Sequence, residues 1–487
     1  MQAAGCSNRA STVVLAVCLV ALSAVLFTGP IADIDFWWHI SNGRWIVENR
    51  ALPETDPFGV YPTVNHWART ILQGQWAGQV ALFLAYDGLG AMGVKLLRFA
   101  VLGLTLAIVA VRVWRTDSTI AARALALVIC AVMLWGFSAD RPQLFSLLFF
   151  TALIALLEAG EARKRLRLAV LPLLVLWTNV HQGVLLGAVI AALWLGMLAW
   201  RERRAEPREA RLSAVLALLS LASPIATPNG FRGIEYLVWL EFEPAKQRIS
   251  EYASPLSYLG QTMDIPQILV FFTFALALLA VLATTVRRID LRWALAALLL
   301  VVGFSGYRYL AFVVLMAAPL AAAEWTRLAR SHMAWKAIGT ALVAATAFAV
   351  FKVGAIQSQG FSAQLAPGKF PVELAKTAHE LGASGRMFTT VGWGGYLGWE
   401  FAGTAQPFID GRYLMNTQRL DDYTHILWAT PRGMQLLRNS DIRWVLMPHR
   451  NPLTPLDRPY PLPLVLGQDP QWQVRQSNEQ GVLISRR

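Results

Sequence analysis

Ile31-Ala32-Asp33-Ile34-Asp35-Phe36-Trp37-Trp38-His39 follows directly on the first apolar stretch of the chain long enough to cross a bilayer. It sets two carboxylates, an aromatic pair and an imidazole at the mouth of a membrane helix. Acidic side chains near bilayer depth cost several kcal/mol unless they are paired or used, so an Asp-x-Asp in this position marks a site. Working outward, the apolar character persists: 56% of the 487 residues are hydrophobic and 15% charged, with mean hydropathy +0.45. Such a composition excludes an ordinary soluble globular protein.

Apolar stretches of about 17–25 residues, the length that spans a hydrocarbon core, recur near 11–30, 92–111, 121–138, 143–160, 167–182, 184–200, 212–226, 266–286, 293–306, 309–325 and 335–353. The reading is therefore a polytopic α-helical membrane protein of about eleven spans. Every second loop is basic: Arg112, Arg115 and Arg123; Arg163 to Arg167; Arg201 to Arg211; Arg287, Arg288 and Arg292; Arg327, Arg330 and Lys336. By the positive-inside rule this places the N-terminus in the cytoplasm and the C-terminus outside. The net charge of +13 is then a topology signal and not a nucleic-acid footprint. The first segment, ending Gly29-Pro30-Ile31-Ala32, is read as a retained helix because its apolar run is long for a signal peptide. The three cysteines, Cys6, Cys18 and Cys130, lie in or beside predicted spans, so no external disulfide framework is expected.

Residues 1–353 form the expected membrane domain. Its first outer loop, 31–91, reads as two amphipathic pieces, Trp37–Val47 and Trp67–Tyr86, suited to the headgroup level. A second outer portion covers roughly 227–265. From 354 to 487 Pro, Gly and charge rise. Strand-like runs at Met387–Thr390, Gly395–Trp399, Phe408-Ile409 and Trp444–Met447 alternate with helix-like stretches near 371–382 and 418–440. That alternation predicts a C-terminal extracytoplasmic α/β domain.

Asp33 to His39, with Gly43-Arg44-Trp45-Ile46 and Leu52-Pro53-Glu54-Thr55-Asp56-Pro57-Phe58, resembles the first outer loop of a bacterial group of GT-C-type integral-membrane glycosyltransferases. Asp140-Arg141-Pro142-Gln143, Trp177 to Gly183, Pro228-Asn229-Gly230, Gly306-Tyr307-Arg308-Tyr309 and Phe408 to Arg412 continue it in order along the chain. The resemblance implies a sugar moved from a polyprenyl-phosphate carrier to a lipid, glycan or protein acceptor at the outer face of the bacterial inner membrane. It implies an Asp or Glu of the first outer loop as base, and an anionic phosphate leaving group that cationic or hydrogen-bonding groups must meet. No cofactor is expected, and no metal is favoured, although Asp-x-Asp also suits a divalent cation.

The residues carry these roles unequally. Asp35 is the candidate catalytic base and Asp33 the second candidate; the plainer reading of both is capping of the following helix. Arg141 and Arg308 stand at outer span ends, where the planar guanidinium suits a donor phosphate and the alternative is snorkelling to headgroups. His181 joins them as a donor-phosphate candidate, with helix capping as its alternative. His39, Trp38, Asn179 and Glu251 are candidates for substrate contact. The Trp pair also fits an interface anchor, and Asp56 with Asp410-Gly411-Arg412 reads as loop architecture. Two other functions remain open: a non-catalytic polysaccharide export or assembly protein, and an O-antigen ligase or polymerase. Exporters tend to carry paired repeats and broken helices, which this sequence lacks.

Overall fold

A computed structural model of the chain describes residues 2–259, 290–329, 363–450 and 459–487, with short pieces between 271 and 279 and between 340 and 352. Much of the spans expected over 266–286 and 335–353 lies outside the described residues. The chain divides into two compact units. One comprises residues 1–30, 94–230 and 246–362; the other comprises 31–93, 231–245 and 363–487. The first outer loop is thus compact with the C-terminal portion.

The first unit is helical. Gln2–Phe27, Ile120–Gly136, Gln143–Ala162, Val170–Val180, Val184–Glu202, Pro207–Ala222, Leu291–Ser305 and Leu310–Ala329 follow the apolar runs of the sequence. Helices are the natural answer to such runs, since every backbone polar group is bonded within the segment. Thr119 accepts the Ala122 N–H and Asp290 the Trp293 N–H, so side-chain caps begin two of the helices. Leu127, Cys130, Phe150, Trp177, Trp194, Val313 and Met316 are buried in one apolar core.

Among the described residues four helices are long and apolar enough to cross a membrane: Trp76–Trp114, Gln143–Ala162, Val184–Glu202 and Tyr307–Arg327. Ser11–Phe27, Ile120–Gly136 and Leu291–Ser305 are apolar but shorter. The expected number of about eleven spans is therefore not established. Trp76–Trp114 is interrupted where Leu89 and Gly90 leave helical geometry. Gly90 has φ +59° and ψ −144°, a conformation open essentially to glycine alone. The break falls between the amphipathic piece ending near Tyr86 and the span expected from residue 92.

Two arginines counted among the basic loops are buried staples. Arg112 pairs with Glu158 at 2.9 Å and donates to the Leu315 carbonyl at 2.7 Å. Arg167, 1% exposed, pairs with Glu202 at 2.7 Å and donates to Ser213.

The second unit holds a five-stranded mixed sheet: β1 (Gly385–Phe388), β2 (Ala405–Pro407), β3 (Ile442–Pro448), β4 (Trp472–Ser477) and β5 (Gly481–Arg486). Their order is β2-β1-β3-β5-β4. β1 runs parallel to β2 and β3, whereas β5 is antiparallel to β3 and β4. Ile31 N donates to the Gln364 carbonyl at 3.0 Å and Ala366 N to the Ile31 carbonyl at 2.9 Å, which stitches the start of the first loop to the start of this portion.

Three sequence expectations change here. Gly395–Trp399, read as a strand, lies in the helix Val391–Glu400. Phe408-Ile409, read as a strand, follows β2 and lies outside it. The stretch 418–440, read as one helix, is two, Thr417–Leu427 and Pro431–Asn439. Ala429 takes φ 47° between them, and Thr430 caps the second by accepting the Gly433 N–H. The glycines explain the first correction: a Cβ on Gly394 would collide with the Ile409 carbonyl, and one on Gly395 would lie 3.1 Å from the Ile34 carbonyl oxygen. Close approach of the Val391–Glu400 helix, and not strand propensity, accounts for this glycine-rich run.

Candidate functional site

The candidate residues fall into two groups, one in each unit. In the second unit the acidic loop is shaped by its own side chains. Asp33 Oδ1 accepts the Asp35 backbone N–H at 2.8 Å, a local turn that short carboxylates make readily. Asp35 occupies the N-cap position of the helix Phe36–Asn49 but makes no side-chain capping bond to it. The capping role read for both aspartates is therefore not what the Asp35 carboxylate does for this helix.

The aromatic pair is not displayed to headgroups. Trp37 is 1% exposed and sits edge-on among Phe36, Tyr86, Phe370 and Tyr396, with ring centroids 5.0–6.0 Å away. It is the core of this unit. Trp38, 8% exposed, lies against the His39 ring at 3.6 Å. Its Nε1 is buried with no hydrogen-bond partner among the described residues.

His39 is buried in a polar network. Gln79 Nε2 donates to His39 Nδ1 at 3.2 Å, and Asn42 Nδ2 donates to Gln79 Oε1 at 2.6 Å and to the Leu72 carbonyl at 2.9 Å.

Asp56 and the Asp410-Gly411-Arg412 turn form a buried strap. Arg412 bonds Asp56 at 2.9 Å and Asp410 at 2.5 Å, and all three side chains are at most 2% exposed. The Tyr61 hydroxyl lies 3.0 Å from the Asp410 carbonyl oxygen and 3.1 Å from its carboxylate. Burial, with the Asp410 charge beside it, pushes the Tyr61 phenol well above its ordinary range, so it remains a donor. Burial opposes the Arg412 charge, but Asp410 and Asp56 more than offset this and hold it ionised. The loop-architecture reading of these residues matches that arrangement.

In the first unit Arg141, Glu251, Arg308 and His181 are neighbours. Arg141 makes a short ion pair with Glu251. Arg308 lies over the Tyr252 ring at 4.5 Å from its centroid. Burial alone would raise the Glu251 carboxyl, yet the Arg141 and Arg308 guanidinium groups hold it below its ordinary value. The charges of Arg308 and Arg141 also act on the His181 ring. His181 Nδ1 accepts from the Gly183 N–H at 2.9 Å and lies 2.8 Å from the Ser146 hydroxyl, itself bonded by Trp177 Nε1. Asn179 donates to the Val175 and Ala226 carbonyls, tying a helix end to the next turn.

Sequence reasoning passed over Arg98. It is 5% exposed, pairs with Asp140 at 3.0 Å, and donates to the Phe27 carbonyl at 2.8 Å and to that of Gly29. It thereby closes the C-terminus of the helix Gln2–Phe27 and anchors the residue before Arg141. The signal was an arginine inside a predicted span, which is costly unless paired. Among the described residues no group of three or more His, Cys, Asp or Glu side chains is placed to hold a metal ion.

No protein-family model and no curated protein matches the chain. Among solved structures, it is similar to the archaeal oligosaccharyltransferase AglB from Archaeoglobus fulgidus, determined in complex with an inhibitory peptide and a dolichol-phosphate. The TM-score is 0.57 at 10% identity, over 91% of this chain and 70% of that one. At that identity what the two share is the fold.

Proposed function

We propose that this protein transfers a sugar from a polyprenyl-phosphate carrier to an acceptor at the outer face of the bacterial inner membrane, with Asp35 as general base. The observation that carries the reading is the division of labour between the two aspartates: Asp33 binds the backbone of the turn, while Asp35 begins the helix without capping it. The fold likeness supports the class of reaction, since the similar oligosaccharyltransferase was solved with a dolichol-phosphate and a peptide.

In this mechanism the acceptor hydroxyl or amine attacks the anomeric carbon as Asp35 takes its proton. The bond between that carbon and the phosphate oxygen breaks on the opposite side, and polyprenyl phosphate leaves with the electron pair, inverting the centre. The charge that develops on the phosphate calls for cationic partners, and Arg141 and Arg308 are the candidates for that role. Their setting supports this, because Arg141 is about a fifth exposed and a planar fork matches phosphate oxygens. Glu251 orients Arg141. In this reading the C-terminal portion lies outside the membrane, which the alternation of basic loops supports.

The deciding experiment is Asp35→Asn in the purified protein. It preserves size and hydrogen bonding but cannot take a proton, so turnover should fall about 10²–10⁴-fold while donor binding and folding persist. Asp33→Asn should stay partly active. Wild-type turnover by Asp35→Asn would remove the base from the mechanism.

A further inference from the structure

The turn at residues 410–412 lies against Asp35 itself. A Cβ built on Gly411 would fall on Asp35 Oδ1 and lie 3.0 Å from Trp38 Nε1. Gly411 does not take a positive φ, so alanine is acceptable to the backbone there. The glycine is required for room: the carboxylate rests on its Cα, where any side chain would be. The turn that carries this Cα is rigidly held, since Asp410 and Arg412 on either side of Gly411 are locked to Tyr61 and Asp56. Trp38 Nε1, buried and without a partner, borders the same spot.

Resting on the reading of Asp35 as the base, we propose that Gly411 is its positioning residue: the strapped 410–412 turn sets where the Asp35 carboxylate points. The wall behind the base then comes from the C-terminal portion of the chain, about 375 residues away in sequence, which is why nothing local to the acidic loop reveals it. The charged residues near this pair in the chain are Asp33, which bonds the Asp35 backbone N–H, and Asp410 and Arg412, which flank Gly411 and pair with each other, Arg412 also pairing with Asp56.

The test compares Asp35→Asn, Gly411→Ala and Tyr61→Phe in the full-length purified protein. The probe is a set of synthetic undecaprenyl-phosphate hexoses, and the readout is release of undecaprenyl phosphate. Gly411→Ala adds a methyl where the carboxylate sits, and small displacements of a reacting group cost on the order of tenfold to a hundredfold. We expect kcat to fall by that factor with KM for the donor little changed. The acid limb of the pH profile should move upward, because an apolar group against a carboxylate disfavours its charge. Tyr61→Phe loosens the strap without adding volume and should shift both quantities the same way by less. A purely structural turn would lower thermal stability and leave the pH profile in place.

If Gly411→Ala keeps wild-type kcat and pH profile while Asp35→Asn is inactive, the positioning role is wrong and the base stands. If Asp35→Asn turns over normally, the base reading falls and the positioning role with it. Should Gly411→Ala not fold, Tyr61→Phe decides, and an unchanged kcat and profile overturns the proposal.

Discussion

Two arginine clusters in this molecule look alike in sequence and differ in kind. Arg412 is held between Asp56 and Asp410, with every participant at most 2% exposed. Arg141 is held by Glu251, and both keep about a fifth of their side-chain surface exposed, with Arg308 stacked on Tyr252 nearby. The first cluster joins residues more than 350 positions apart and is closed to any ligand. The second is partly exposed and has two guanidinium groups acting on one carboxylate. A buried fork between carboxylates makes a strap, whereas a partly exposed fork is the kind of group the proposed phosphate contact requires.

The sharpest way to break that contrast is to delete each arginine and measure stability. Arg412→Ala strands two buried carboxylates, and breaking a buried pair costs about 3–5 kcal/mol. It should lower the unfolding midpoint in detergent markedly. Arg98→Ala belongs with it, since Asp140 is equally buried and should cost a similar amount. A midpoint unchanged in Arg412→Ala would end the distinction between strap and cradle.

Next in size are Arg141→Ala and Arg308→Ala. Charge-assisted contacts are worth about 1.5–3 kcal/mol, so affinity for a polyprenyl-phosphate sugar should fall on the order of tenfold to a hundredfold. Stability should change little. Titration of each variant with donor in nanodiscs checks this, and unaltered affinity in both would return these side chains to snorkelling.

The smallest effect concerns Glu251. Its carboxyl is held below its ordinary value by Arg141 and Arg308, against the opposing effect of burial. A depressed carboxyl contributes stability that is present above its unfolded value and lost as pH falls through the folded one. Glu251→Gln should therefore lie below wild type in stability by a constant amount, under about 1 kcal/mol given its exposure, from roughly pH 5 to 8. The two curves should converge only in more acidic solution. Curves that converge near neutrality would mean the guanidinium groups do not act on Glu251.

The contrast also explains what was legible beforehand. Arg141, Arg308 and His181 were singled out because ionisable groups at span ends are costly enough to need a reason, Glu251 because it lies in the second outer portion, and the fold brings these four together. The acidic loop was equally visible, and Asp33 proved to be the turn-forming member. Trp37 misled because density of aromatics is the same signal for a headgroup anchor and for a core. Only its burial among Tyr86, Phe370 and Tyr396 separates the two. The Val391–Glu400 helix misled for a related reason: its glycines weaken a helix locally but permit the approach of Ile34 and Ile409.

By itself the sequence determined the apolar helical elements and the acidic motif after the first of them. These follow from apolar run length, charge alternation and spacing, all of which are local quantities. Only the tertiary structure decided that Arg98 closes the first helix, that Asp56 and Tyr61 grip the 410–412 turn, and that Gly411 backs Asp35. Those pairings span up to about 375 positions. Their stability comes from burying complementary charges and excluding a single methyl group, and neither is expressed in the composition or periodicity of any one stretch.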